Sequence, residues 1–182
     1  MIKIKEIRFH GRAGQGVVTA ADILAMAAFQ AGKYSQAFPF FGVERRGAPV
    51  TAFARISDDF IRLRSQIYYP DYIVVQDATL LDIIDVAKGL KKDGKAIINT
   101  EKKPEELNIN TDAEVYTVNA TKIALDILGV PIVNTLMLGA FAAITKEVSL
   151  EALQQAIEKR FPPKLAEKNA RAVEVMYKSL ED

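Results

Sequence analysis

Two stretches carry residue types and spacings that could do chemistry. The first is His10-Gly11-Arg12-Ala13-Gly14-Gln15-Gly16, in which Gly11, Gly14 and Gly16 punctuate the passage from an apolar strand candidate to an apolar helix candidate. A strand that turns on glycines into a helix leaves the first backbone N–H groups of that helix unpaired, where the helix dipole adds roughly half a positive charge. Such a turn suits a phosphate or carboxylate. Its spacing, Gly11-x-x-Gly14-x-Gly16, inverts the Gly-x-Gly-x-x-Gly of the dinucleotide fingerprint. Nor is it a nucleoside-triphosphate loop, because Val17-Val18 stands where Lys and Ser or Thr would hold phosphates and magnesium. The expectation is therefore anion contact without metal-assisted phosphoryl transfer, the alternative being glycines that serve only a tight turn and close packing. The second stretch is Glu44-Arg45-Arg46-Gly47, whose three charges are the only ones between Tyr34 and Ala54 in a segment otherwise rich in aromatics, Gly and Pro. Adjacent arginines can meet phosphates or carboxylates through paired N–H donors, with Glu44 orienting one of them. An internal ion pair or a subunit contact would use the same residues.

Composition excludes several classes. With no cysteine, the chain cannot supply thiolates to an iron–sulfur cluster, form a disulfide or act through a thiol nucleophile. A single histidine, His10, makes a zinc site or a Ser-His-Asp triad improbable and is expected to be a hydrogen-bonded structural residue. No catalytic residue and no metal ligand is assigned. Twenty-four Lys and Arg against 23 Asp and Glu leave a formal charge of +1, with no basic run, so nucleic acid and anionic membrane are poor default partners. The amino-terminal residues lack a secretory apolar region, and the longest apolar stretches are too short to span a bilayer, so a cytoplasmic location is expected.

The elements that must position these residues can be laid out along the chain. Ile7 and Phe9 alternate with Arg8 and His10 in a first strand, whose parity conflict with Ile2 and Ile4 predicts a bulge or a late start near Glu6. A helix apolar nearly all round, hence buried, spans 17–31 and stops at Gly32-Lys33. The segment 34–54 is expected to be a second functional loop leading into strand 50–56, which forms a hairpin with strand 60–64 through 57–59. Further strands are expected at 72–76, 95–99 and 115–118, with a helix at 79–91 capped by Thr79 and another from Asn119 or Thr121 to Leu128. Asp77, Asn99 and Asn119 then fall where strands hand over to loops, the rim on which open α/β sheets bind ligands, although each also suits turn or cap chemistry. A second nearly all-apolar helix at 136–144, a Ser149-capped helix at 150–160 and a closing amphipathic helix at 164–180, with Leu165, Ala172, Val173 and Met176 inward, complete the chain. The expected fold is one three-layer α/β/α domain over 1–182, with a mostly parallel, locally mixed sheet, Rossmann-like in layout without the dinucleotide fingerprint.

Gly11-Arg12-Ala13-Gly14-Gln15-Gly16 followed by Val17-Val18-Thr19-Ala20-Ala21, taken together with Phe41-Gly42-Val43-Glu44-Arg45-Arg46-Gly47-Ala48-Pro49-Val50, resembles the gamma subunits of the 2-oxoacid:ferredoxin oxidoreductases, most closely the pyruvate-type members. The resemblance covers essentially the whole chain. It departs at Ala13-Gly14 and Gly47-Ala48, where many members carry Gly-Gly, and alanine keeps both places small. The resemblance implies a subunit of a complex that converts pyruvate, coenzyme A and oxidised ferredoxin to acetyl-CoA, carbon dioxide and reduced ferredoxin. It places thiamine diphosphate and 4Fe–4S clusters in partner subunits of alpha, beta and delta type, and associates the gamma chain with assembly and the coenzyme A side of the site. On that footing Gly11, Arg12, Gly14, Gln15, Gly16, Glu44, Arg45, Arg46 and Gly47 are the candidate coenzyme A-contacting residues. Branched-chain 2-oxoacids or 2-oxoglutarate are alternative substrates of such a complex. The remaining alternatives are a free-standing nucleotide-binding oxidoreductase and a pure interaction module.

Overall fold

Ile7 and Phe9 turn one way and Arg8 and His10 the other along β1, Ile4–Arg12, in the computed structural model, which describes residues 3–40 and 47–181. β1 pairs without interruption from Ile4 opposite Ser57 to Arg12 opposite Pro49, so no bulge interrupts it at Glu6. The parity conflict is resolved by charge. Glu6 lies opposite Arg55 and accepts a hydrogen bond from its Nε at 2.8 Å, while Lys5 donates to the Tyr72 hydroxyl at 3.2 Å.

The chain then runs through α1 (Val17–Gln30), β2 (Tyr34–Phe40), β3 (Pro49–Ser57), β4 (Tyr72–Val75), β5 (Lys95–Asn99), β6 (Glu114–Val118), α2 (Ala120–Leu128), α3 (Asn134–Thr145), α4 (Leu150–Arg160) and α5 (Pro163–Lys178). The six strands form one sheet in the order β2-β3-β1-β4-β5-β6. β1, β4, β5 and β6 are mutually parallel, and β3 runs antiparallel to both β1 and β2. The expected mixed α/β class is thus observed. Its helices gather on one face, where Ile7, Phe9, Val74 and Ile97 pack with buried side chains of α1, α3, α4 and α5. On the other face Ile73, Val75, Ala96 and Ile98 are covered by Leu80, Val86 and Ala87, which lie in turns and a short 3-10 helix, Ala78–Asp82.

Three local expectations are corrected. Segment 34–40 is the hairpin partner of β3, and 60–64 is not a strand. β2 pairs with β3 from Tyr34 to Phe40, and Pro39 is tolerated because β2 is a sheet edge. Residues 79–91 form no α-helix. Asp77 folds back on Thr79, and the Arg8 Nη2 donates to the carbonyls of Val86 and Lys88 at 2.9 and 2.7 Å, acceptors that a continuous helix would have used internally. In α5, Ala172, Val173 and Met176 are buried as expected but Leu165 is exposed. α1 is buried over Val17, Ala20, Ala21, Ile23, Leu24, Ala27 and Ala28, while Phe29 near its end stands 71 % exposed. α3 is a core element, buried continuously from Asn134 to Ala143.

Candidate functional site

The glycine turn occupies the carboxyl end of β1, at the place where the chain leaves β1 for one side of the sheet and later returns to build β4 on the other. That reversal opens the crevice in which open α/β sheets bind ligands. Gly16 caps α1 with φ +71°, and no side chain makes a capping hydrogen bond to the first turn. A side chain at Gly16 would be strained in that conformation and would bring a Cβ to 2.5 Å from Asn134 Nδ2, at the start of α3. Gly11 is required for a different reason. A Cβ there would stand 2.5 Å from Val17 Cγ2, so the close packing of β1 on the start of α1 depends on hydrogen at that position.

Arg12 ties the turn to its surroundings. Its Nε donates to Asp77 Oδ2 at 3.1 Å, Nη1 to the Gly47 carbonyl at 3.0 Å and Nη2 to Thr79 Oγ1 at 2.7 Å. All three nitrogens are engaged, which makes Arg12 a clamp between loops. Gln15 folds the turn on itself by accepting from the Arg12 amide at 2.7 Å while donating to Asp77 Oδ2 at 3.0 Å. Burial alone would raise the Asp77 carboxyl, but hydrogen bonds from Thr79 and Gln15 and the Arg12 charge outweigh it and hold the group below the usual carboxylate range.

The same rim gathers the ends of three strands. Asn99, closing β5, donates from Nδ2 to the Gln76 carbonyl at 3.0 Å and to Thr121 Oγ1 at 2.9 Å, and accepts from the Thr121 amide at 3.2 Å. Asn119 caps α2 by accepting from the Lys122 amide at 3.0 Å, as expected. Between these groups lies a cavity of about 390 Å³ whose polar lining is Gln15, Gln76, Asp77, Thr79, Asn99 and Thr121. It holds both carbonyl and amide functions and a carboxylate already paired with Arg12. Gln76 was missed by sequence reasoning. Its one signal is a polar residue ending the otherwise apolar run Ile73-Val74-Val75.

Glu44, Arg45 and Arg46 lie outside the described residues. The residues that follow them return to the turn: Ala13 donates its amide to the Ala48 carbonyl at 2.9 Å, and Gly47 accepts from Arg12. Because β3 runs antiparallel to β1, with Pro49 opposite Arg12, both Phe40 and Gly47 flank that segment on the carboxyl rim of β1. His10 takes the structural role expected of it. Its Nε2 accepts from Arg8 Nε at 3.0 Å, and burial, aided by the Arg8 charge, lowers its pKa to about 3. Among the described residues, no group of three His, Cys, Asp or Glu side chains is placed to hold a metal ion, and no helix is long and apolar enough to cross a membrane.

Comparison with known proteins gives one consistent answer. Residues 6–179 match the family described as pyruvate ferredoxin/flavodoxin oxidoreductase. A pyruvate synthase subunit PorC of Methanocaldococcus jannaschii is 62 % identical over 175 residues, covering 96 % of each chain. A common gamma subunit of the pyruvate and ketoisovalerate oxidoreductases of Thermococcus kodakarensis is 59 % identical, covering 93 % of each. Among solved structures, the pyruvate oxidoreductase subunit PORC of Thermotoga maritima superposes with a TM-score of 0.87 at 42 % identity, over 97 % of this chain and 96 % of that one.

Proposed function

Because this chain belongs to the pyruvate ferredoxin/flavodoxin oxidoreductase family, we propose that it acts over its whole length as a gamma-type subunit that builds the coenzyme A side of a pyruvate-oxidising complex. The observation that carries this reading is the convergence on one rim of the open amino terminus of α1, the Arg12–Asp77 clamp and the Gly47-Ala48 return from the double-arginine segment. Gly14, Gly16 and the first turn of α1 present backbone donors and a positive dipole end to a phosphate, the Gln15 amide being held by the Arg12 carbonyl at 3.0 Å. Arg12 holds the glycine turn against Gly47, the residue that follows Arg45 and Arg46 in the chain, and this reading assigns to those two guanidinium groups the charge that a diphosphate needs.

Coenzyme A is the acyl acceptor when bound, and its thiol chemistry takes place away from this chain. With no cysteine the chain has no ligands for iron–sulfur clusters. In this reading, as the family resemblance implies, thiamine diphosphate, the clusters and the ferredoxin contact belong to alpha, beta and delta-type partners, and the complex works in the cytoplasm. A second reading concerns substrate choice. The shared pyruvate and ketoisovalerate subunit among the relatives favours a gamma chain that leaves selection of the 2-oxoacid to its partners.

The test replaces Arg45 and Arg46 together by glutamine in the assembled complex. The expected result is a KM for coenzyme A raised about tenfold, with an unchanged KM for pyruvate and an intact complex on size-exclusion chromatography. An unchanged KM for coenzyme A overturns the ligand reading, and loss of assembly reassigns the pair to subunit docking.

A further inference from the structure

The cavity beside the turn has a wall that the anion reading does not use. Gln76 is only 2 % exposed and lines that cavity, yet among the described residues neither its Oε1 nor its Nε2 has a hydrogen-bond partner. It is the one buried side chain there with both polar atoms unpaired. Its neighbours differ: the Gln15 and Asn99 carboxamides are engaged through both oxygen and nitrogen. A buried amide without partners costs stability, and such groups persist in folded proteins where they serve something other than the fold. Its oxygen sits against Gly11, 3.3 Å from where a Cβ would be, and the Gln15 oxygen lies 3.1 Å from the same point. Gln76 is thus packed against the glycine turn, with the hydrogen-bonded carboxamide of Gln15 beside it.

We propose that Gln76 is a specificity-determining residue of this site, pairing through its carboxamide with a neutral planar edge of the guest that offers a donor beside an acceptor. This rests on the reading of the rim as a coenzyme A site and deepens it by separating two tasks. The turn and the arginines take charge, and Gln76 takes an uncharged edge. A carboxamide offers an acceptor beside donors in one plane, which complements the amino edge of a purine such as the adenine of coenzyme A. The trans secondary amides of its pantetheine arm point N–H and C=O apart and meet a carboxamide through one bond at a time.

The experiment uses Gln76→Met, which keeps an unbranched side chain of similar volume and removes the amide. Thermal unfolding of the full chain should give a Tm raised by about 3 °C, while the assembled complex should bind coenzyme A about tenfold more weakly. Parallel titrations with pantetheine and with adenosine 3′,5′-bisphosphate assign the edge: the loss reappears with pantetheine if an amide is recognised, and with the bisphosphate if adenine is. A Tm that fails to rise, or an unchanged affinity for coenzyme A, overturns the proposal. The Arg45 and Arg46 variant, titrated alongside, separates the two readings. Normal binding there with weakened binding in Gln76→Met sinks the charge reading alone, and the reverse result sinks Gln76 alone.

Discussion

Among single residues, His10 is the one whose ionisation the fold most strongly suppresses. The Arg8 Nε–H points at its Nε2, so that nitrogen must carry a lone pair and the ring must be neutral with its proton on Nδ1. Burial and the Arg8 cation together lower the pKa to about 3, against 6.5 for a free histidine. Between those two values the unfolded chain takes up a proton that the folded chain refuses. Stability is therefore full above about pH 6.5 and falls as the pH drops toward 3, with a slope reaching about 1.4 kcal/mol per pH unit from this group. Urea unfolding of the wild type and of His10→Gln at neutral pH and near pH 5 measures that slope, which the variant should flatten whatever its absolute stability. Equal slopes would mean that His10 is not held neutral. Asp77 works in the same sense at lower pH. Its lowered carboxyl keeps the clamp with Arg12 charged down through the ordinary carboxylate range, and the contribution is lost only as pH falls through the folded value.

At the scale of elements, the segment between β3 and β4 shows how a polar residue can replace secondary structure as an organiser. Residues 60–64 do not pair with β3; the chain there is held by Arg55, 1 % exposed, whose Nη2 donates to the Ser65 carbonyl at 2.7 Å while its Nε binds Glu6. Its guanidinium carbon also lies 5.3 Å from the centre of the Phe38 ring. Arg55→Leu leaves the Ser65 carbonyl and Glu6 without their donor and is expected to cost about 3 kcal/mol, as breaking a buried pair does. Trypsin should then cut faster at Arg62 and Arg64, and an unchanged cleavage rate would show that Arg55 does not hold the segment. This arrangement explains what the sequence could and could not disclose. β1, α1, β4, β5 and α3 were legible because their apolar patterns are long or unbroken, and the Asn119 and Ser149 caps because their chemistry is local. In place of the helix expected at 79–91 the chain makes turns, whose Val86 and Lys88 carbonyls accept from Arg8, some eighty residues earlier in the chain. Nothing near residue 86 signals that contact. Gln76 stayed hidden likewise, since its burial depends on a turn sixty residues away.

At the scale of the whole molecule, one edge of the sheet gathers the candidate residues. All the parallel strands end on one rim, and the antiparallel β3 begins on it, so the glycine turn, Asp77, Asn99 and the residues flanking 41–46 share an edge of the sheet. The five helices stiffen the opposite side of that support, packing Phe141, Leu153 and Val173 into one core with Ile7 and Phe9. There is no cysteine anywhere in the 182 residues, so the chain cannot supply thiolate ligands to an iron–sulfur cluster. Anaerobic reconstitution of the isolated chain with iron and sulfide should therefore leave no visible cluster absorption after desalting, while the assembled complex treated in the same way retains it. Cluster absorption that travels with the isolated chain would place electron transfer within this subunit and undo the assignment of the clusters to its partners. Its absence, together with a coenzyme A affinity that responds to changes at Arg45, Arg46 and Gln76, would locate the two halves of the reaction in different polypeptides, with the carboxyl rim of this sheet as the meeting place.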